Sequence, residues 1–174
     1  MSINGAPSGQ FSGAKDKPNA ISANASDGTV YFTAETYIFS IRDGKPTRVR
    51  GVTSTQRMLA MTSNEHSVYA GSENGFLHKI NGDAVTVTGT LEGVKVVRIA
   101  LDSDTLWVLS QRNTIIEVDA NTLSVKRTVP IAFDGISLTL VKAAGEVWVG
   151  DKKGKIHVLA LDSLQQTAEF VAHG

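Results

Sequence analysis

The residues of this sequence that could carry chemistry are four histidines, several carboxylates and a short run of lysines, because the chain contains no cysteine. Without cysteine, disulfides and thiolate metal sites are excluded. The histidines are His66, His78, His157 and His173. A metal ion needs clustered, convergent donors, but His78 and His157 occupy matching positions on equivalent strand-like runs of separate repeats, which should diverge. We therefore expect packed or solvated histidines and no metal site.

The aspartates recur in segments that also contain Gly, Asn or Ser, at Asp27, Asp43, Asp83, Asp102, Asp104, Asp119, Asp151 and Asp162. Converging carboxylates can bind calcium or a catalytic divalent ion. At turn positions, however, Asp is favoured because its side chain bonds the local backbone. We interpret these residues as turn aspartates. The sequence also lacks a Gly-x-Ser-x-Gly elbow and a Walker-type phosphate loop, so we predict no catalytic residue, no cofactor and no enzyme activity.

The lysines Lys152, Lys153 and Lys155 form a compact basic cluster between two strand-like runs. A cluster of this kind could contact an acidic protein surface or a phosphate. The other interpretation is a solvated hairpin tip. We name these three residues the lysine loop and treat them as the candidate partner-contact site.

The elements that position these residues are indicated by an internal repeat. An aliphatic residue precedes an aromatic one in four segments, at Val30-Tyr31, Val68-Tyr69, Leu106-Trp107 and Val147-Trp148, with spacings of 38, 38 and 41 residues. Short β-branched runs flank each pair, and turn dipeptides such as Asp43-Gly44 and Asn81-Gly82 separate the runs. A unit of four antiparallel strands in about 40 residues is typical of a β-propeller blade. The fixed register also places the aromatic residues in the blade core.

The repeat predicts an all-β propeller of four four-stranded antiparallel blades at about 20–52, 58–91, 96–131 and 138–172. Residues 1–19 have little apolar content and are predicted to form a flexible tail. If four blades do not close a ring, the outward faces of the first and last blades expose apolar sheet surface. We therefore expect part of a larger propeller, or a half-propeller whose end blades are covered by another half or by a second copy.

The repeats resemble divergent WD40 units. The run from Val149 to Leu159 is similar to the strand–turn–strand core of that family, and Ala172-His173-Gly174 is similar, in reversed order, to its Gly-His step. The sequence departs from the family where Trp precedes Asp: Ile41, Ile80, Val118 and Leu159 stand there. The resemblance implies a rigid protein-interaction scaffold, but the family's Asp–His–Ser/Thr–Trp network is not visible. We therefore expect stability to come from apolar packing.

Within the WD-repeat family, the stretch Lys17–Asn24 and the fourth blade are similar to actin-interacting proteins. This resemblance implies that actin and cofilin are partners and that the chain assists cofilin in disassembling filaments. The run from Val68 to His78 is also similar to pyrroloquinoline-quinone-type propellers, which include periplasmic assembly scaffolds and quinoprotein dehydrogenases. A metal-dependent propeller hydrolase is a further alternative.

The net charge bears on partners and location. The chain has 17 basic and 17 acidic residues and a formal net charge of zero. This balance gives no sign of a nucleic-acid or anionic-membrane surface. No segment approaches the length of about 20 apolar residues that a bilayer span needs. We therefore predict a cytoplasmic protein that binds neither nucleic acid nor membrane.

Overall fold

The computed structural model describes residues 18–172 and contains four antiparallel sheets. Blade 1 contains β1 Ile21–Ala23, β2 Val30–Ala34, β3 Tyr37–Arg42 and β4 Lys45–Arg48. Blade 2 contains β5 Met58–Ser63, β6 Val68–Ser72, β7 Phe76–Asn81 and β8 Ala84–Thr90. Blade 3 contains β9 Val96–Asp102, β10 Thr105–Ser110, β11 Thr114–Asp119 and β12 Val125–Pro130. Blade 4 contains β13 Gly135–Val141, β14 Glu146–Asp151, β15 Lys155–Ala160 and β16 Gln166–Val171.

Each blade is a meander in which consecutive strands pair, so sequence order and sheet order coincide. The predicted all-β class and the four four-stranded antiparallel blades are confirmed. The described helical structure is one 3₁₀ turn, Lys142–Ala144, which ends at Gly145 in the left-handed region with φ of 66°. Hairpin turns also follow the prediction: Asp43 and Gly44 both have positive φ, at 51° and 72°. Tight hairpin turns require this conformation.

Two predicted segments differ from the structure or lie outside it. Blade 1 was predicted to extend to about residue 52, but its fourth strand runs over Lys45–Arg48. Val49 turns inward and is buried, while Arg50 bridges to Ala84 of the next blade. Of the predicted tail, only residues 18–19 fall within the described part of the chain, and His173 lies outside it.

The blades pack in sequence through their first strands, with β1 against β5, β5 against β9 and β9 against β13. Three buried apolar clusters fill the spaces between blades 1 and 2, blades 2 and 3, and blades 3 and 4. Within residues 18–172, no strand of blade 4 packs against blade 1 to a comparable extent. The four blades therefore form an open arc.

Candidate functional site

The lysine loop forms the turn between β14 and β15 and is partly neutralised by its neighbours. Lys152 Nζ lies 3.6 Å from Asp134 Oδ2 on the connector into blade 4, and Lys155 forms an ion pair with Glu169 on β16. Within the described residues, Lys153 is the member of the loop whose ammonium group has no ion-pair partner, and it is exposed. The structure brings the three lysines to one hairpin, as predicted, and Lys153 is the member that lies beyond ion-pair distance of a described carboxylate.

A buried histidine–carboxylate pair stabilises the hairpin of the lysine loop. His157 Nε2 lies 3.0 Å from Asp151 Oδ2, and Asp151 Oδ1 accepts the backbone N–H groups of Lys153 and Lys155 at 2.8 and 2.9 Å. The His157 hydrogen bond, followed by these backbone donors, holds the pKa of Asp151 below its usual value. The expectation that blade 4 is stabilised by apolar packing alone was therefore wrong. Asp151 and His157 form a buried polar pair although the Trp of the WD40 network is replaced by Leu159.

The geometry around His157 makes it a structural residue. Its Nδ1 lies 3.1 Å from Gln166 Oε1 and 3.4 Å from Glu169 Oε2, so both ring nitrogens are engaged. The Phe133 ring stacks on the imidazole with centroids 3.6 Å apart. A catalytic base needs an accessible nitrogen, and this packing leaves none.

His78 occupies the matching position in blade 2 and has a different environment. It is fully buried, and its Nε2 lies 3.1 Å from the backbone nitrogen of Thr53, which donates to it. The ring proton therefore resides on Nδ1, which has no hydrogen-bond partner. Burial lowers the pKa of His78 to about 4. His66, in contrast, is exposed in the turn before β6.

The predicted turn aspartates mostly bond local backbone or neighbouring side chains. Asp119 accepts the N–H groups of Asn121 and Thr122 at 2.9 and 2.8 Å, and these bonds lower its pKa to about 2. Asp83 accepts the Ser40 hydroxyl at 2.6 Å across blades 1 and 2. Within residues 18–172, no group of three or more His, Asp or Glu side chains is placed to hold a metal ion.

The aliphatic–aromatic pair has a definite role in joining the blades. In the clusters, each aromatic residue packs toward the following blade and each aliphatic residue toward the preceding one: Tyr31 shares a cluster with Val68, Tyr69 with Leu106, and Trp107 with Val147. We call these the forward and backward faces of a blade. All six side chains are nearly or fully buried, with the aromatic residues at 1%, 2% and 5% exposure.

In the described part of the chain, no blade packs on the forward face of blade 4. Trp148, at the position of the three buried aromatic residues, is only half-buried. It stacks on Phe170 of β16 with centroids 5.9 Å apart, and Phe170 is 50% exposed. Ile156 pairs with Phe170 in the sheet and lies on the same face. The blade-4 forward face therefore presents an aromatic surface.

Within residues 18–172, no blade precedes blade 1 on its backward face. Val30, Phe32, Phe39 and Ile41 lie on it through the pairings Val30 with Ile41 and Phe32 with Phe39. The two phenylalanine rings stack with centroids 5.3 Å apart. Ile21, opposite Phe32 on β1, is 70% exposed. Both ends of the arc are therefore apolar, which the repeat predicted.

A cleft of about 670 Å³ lies near the ends of the first strands and is lined by side chains from all four blades. Lys142 reaches across it from the 3₁₀ turn of blade 4, and its Nζ lies 2.9 Å from Asp102 Oδ1 of blade 3. The first strands of the blades therefore surround a common axis, as in a ring.

Comparison with known proteins was informative for the fold. No family model and no curated protein matches the sequence. Among solved structures, the chain is similar to a computationally designed protein, Ika4, with a TM-score of 0.72, 15% identity, and coverage of 87% of this chain and 96% of that one. It is also similar to the WD40 β-propeller domain of Doa1, with a TM-score of 0.70, 14% identity, and coverage of 90% of this chain and 55% of that one. The chain folds as a WD40-like β-propeller.

The WD40-like chain spans about half of the Doa1 propeller chain that it matches, and at such low identity the likeness shows the fold alone. The WD-like part of the sequence prediction is confirmed at this level. Neither comparison points to actin-interacting proteins. Within the described residues, no helix is long and apolar enough to span a membrane.

Proposed function

We propose that this chain is a non-catalytic protein-interaction scaffold. The observation that carries the proposal is the contrast between Trp148, half-buried at the end of the arc, and its three buried equivalents. Contiguous exposed apolar surface marks interaction sites, and aromatic residues are enriched in the core of protein interfaces. The forward face of blade 4 is therefore the surface that a protein partner covers.

The lysine loop supplies a second, polar contact. The Asp151–His157 pair and the backbone bonds to Asp151 hold the loop rigid, and Lys153 extends from it without an ion-pair partner in the described chain. Because the loop backbone is already ordered, binding through it costs little backbone entropy. It fits an acidic protein surface at the edge of an interface, where charges mainly set the association rate and salt dependence.

The partner suggested by the sequence resemblance is the actin filament, with cofilin as the second component, in the cytoplasm. In this proposal the chain binds the filament through the lysine loop and assists cofilin in disassembling it. Its support is the diffuse likeness of Lys17–Asn24 and of blade 4 to WD-repeat actin-interacting proteins, together with the exposed Lys153. The fold similarity to other propellers adds nothing to the choice of partner.

Co-sedimentation with filamentous actin, with and without cofilin, tests this function. We expect the wild-type chain to pellet with filaments and to increase the actin left in the supernatant when cofilin is present. Lys153→Glu is expected to weaken pelleting several-fold and to reduce its salt dependence. Lys45→Glu, a charge reversal at an exposed position of β4, is the matched control. Absence of pelleting and of any effect on severing would remove actin as the partner.

A further inference from the structure

The faces between neighbouring blades are matched in size at one repeat position. Gly71 lies two residues after the aromatic residue of blade 2, and a Cβ added to it would lie 2.6 Å from Val96 Cγ1 and 2.9 Å from Ile99 Cδ1 of blade 3. Between blades 3 and 4 the sizes are reversed, since a Cβ added to Gly135, the first residue of β13, would lie 2.9 Å from Leu109 Cδ1. A small residue on one blade therefore receives a large aliphatic residue of its neighbour.

Gly150 occupies the position of Gly71 on the forward face of blade 4, two residues after Trp148. A Cβ added to Gly150 would meet the Ser137 hydroxyl of its own blade, and no described side chain of another blade lies within 4 Å of it. A cleft of about 200 Å³ remains beside it, with Trp148 and Ile156 among its lining residues. We call this cleft the Gly150 socket. It is the counterpart of the space that a neighbouring blade fills above Gly71.

The residues of a first strand that pack on the preceding blade have a fixed spacing. In each of blades 2, 3 and 4 there are two such residues, three positions apart. They are Met58 and Met61, Val96 and Ile99, and Gly135 and Leu138. A strand that covers blade 4 in the same way presents two residues at this spacing. Since protein interiors are closely packed, the Gly150 socket requires the first of them to be a large aliphatic residue.

The residue just before each of these first strands makes a polar contact with the preceding blade. The pairs are Arg57 with Asn19, Lys95 with Glu73, and Asp134 with Asn113. In the second pair, Lys95 Nζ lies 2.9 Å from Glu73 Oε1. On blade 4 the position of Glu73 is held by Lys152, because each lies two residues after the equivalent glycine. A strand that covers blade 4 therefore meets the lysine loop at this position, and charge complementarity requires an acidic residue there.

We propose that the forward face of blade 4 binds a β-strand of another protein in which an acidic residue is followed, one and four positions later, by large aliphatic residues. This inference rests on the proposed function, because it states the chemistry of the partner that covers this face. The first aliphatic residue fills the Gly150 socket, and the acidic residue pairs with the lysine loop. The second aliphatic residue packs on Trp148, as Ile99 packs in one cluster with Tyr69.

A second copy of this chain does not offer such a strand. In blade 1 the acidic position lies four residues before Ile21, which has the register of Ile99. From blade 1 to blade 4, the residues at this position are Lys17, Arg57, Lys95 and Asp134. The first three are basic and would be repelled by the lysine loop. Asp134 is followed by Gly135, which would leave the socket empty. The partner is therefore a different protein.

Two synthetic peptides and the emission of Trp148 test the charge and the spacing of the strand. Both peptides have the sequence of residues 94–102, which carries Val96 and Ile99 at the required spacing. One keeps Lys95 and the other has Lys95→Glu, and we call them the basic and the acidic peptide. In the Trp107→Phe protein, we expect the acidic peptide to blue-shift Trp148 emission and to reduce acrylamide quenching. The basic peptide should bind several-fold more weakly. Equal binding of the two peptides, or no binding of the acidic one, overturns the inference.

Two substitutions in the same background separate the socket from the lysine loop. Gly150→Val fills the socket, and its Cβ meets only the Ser137 hydroxyl, which can rotate away. We expect this variant to lose the acidic peptide and to keep its urea unfolding midpoint. Lys152→Glu should reverse the preference, so that the basic peptide binds more tightly. Thr128→Val, at an exposed position on the outer strand of blade 3, is the matched control and should bind both peptides as before. Retained binding by Gly150→Val, or an unchanged preference in Lys152→Glu, overturns the inference.

The remaining outcomes separate this inference from a second copy and from actin. Light scattering that gives twice the chain mass of 18.5 kDa for the wild type, and one chain mass for Gly150→Val, would assign the face to a second copy and overturn the inference. Lys153-dependent pelleting with actin in the absence of peptide binding would also overturn it and leave the proposed function intact. Peptide binding with the expected variant pattern, but without actin pelleting, would support the inference and remove the proposed partner.

Discussion

The carboxylate of Asp151 and the imidazole of His157 form a buried pair in blade 4, with Oδ2 and Nε2 3.0 Å apart. The pair joins the end of β14 to β15 and sets the geometry of the lysine loop, since the same carboxylate also accepts two backbone N–H groups of that loop. A residue that stabilises the blade therefore also preorganises the candidate contact site.

Asp151→Ala should lower the free energy of unfolding by about 3 kcal/mol, because removing one member of a buried pair leaves the other polar group uncompensated. Urea denaturation followed by circular dichroism measures this change. Asp43→Asn is the matched control, since Asp43 is an exposed turn residue with φ of 51° and Asn tolerates that conformation. We expect the control to stay within about 0.5 kcal/mol of wild type. Equal stability of Asp151→Ala and wild type would show that the pair contributes nothing.

His78 should remain neutral well below the ordinary histidine range. Its folded pKa is about 4, lowered by burial from 6.5, so the unfolded chain takes up the proton first as the pH falls. The folded state therefore loses stability between these two values, by up to about 3 kcal/mol. Nuclear magnetic resonance of the imidazole C–H signals, assigned with His78→Gln, measures the titration. A midpoint near 6.5 would contradict the burial seen here.

Asp119 should titrate at a lower pH than an ordinary turn carboxylate that lacks backbone donors. The N–H groups of Thr122 and Asn121 lower its pKa from 3.8 to about 2, so its contribution to stability is present above 3.8 and is lost as the pH falls toward 2. A carboxyl-detected titration should place its midpoint near 2. In Asp119→Asn, the unfolding midpoint in urea should depend less on pH across this window. An unchanged pH dependence would contradict the assignment.

Gly89 tests the packing of the outer strands. A Cβ at this position on β8 would lie 2.5 Å from the backbone oxygen of Leu123 in the next blade. Gly89→Ala should therefore lower the free energy of unfolding by about 1–3 kcal/mol, because a backbone atom must move. The neighbouring exposed substitution Thr88→Ala is the control, and denaturant titration compares them. Equal midpoints for the two variants would mean that blades 2 and 3 are less closely packed.

The sequence was sufficient to predict the blades because the repeat marks the same strand four times. Val68-Tyr69 and its equivalents combine an aliphatic and an aromatic residue between turn dipeptides, and this local pattern is visible in a single sequence. Neighbouring residues on a strand point to opposite faces of the sheet, but the sequence does not say which blade each face meets. Only the structure shows that the aliphatic residue packs on the preceding blade and the aromatic residue on the following one.

The Asp151–His157 pair could not be predicted from residue types alone. Asp151 lies beside a turn, as most aspartates of this chain do, and only the burial of both side chains distinguishes it. A partial signal was available: a histidine recurs at the same strand position in His78 and His157. Which of the two would meet a carboxylate depended on the residue six positions earlier, Asp151 in blade 4 and Ser72 in blade 2.

The central claim, that Trp148 lies on a face made for another blade, is tested most directly by its own fluorescence. The chain has two tryptophans, so Trp107→Phe leaves Trp148 as the single emitter. We predict red-shifted emission and strong acrylamide quenching of Trp148 in this variant, and blue-shifted emission with weak quenching of the buried Trp107 in the matched variant Trp148→Phe. Equal quenching of the two tryptophans would contradict the account.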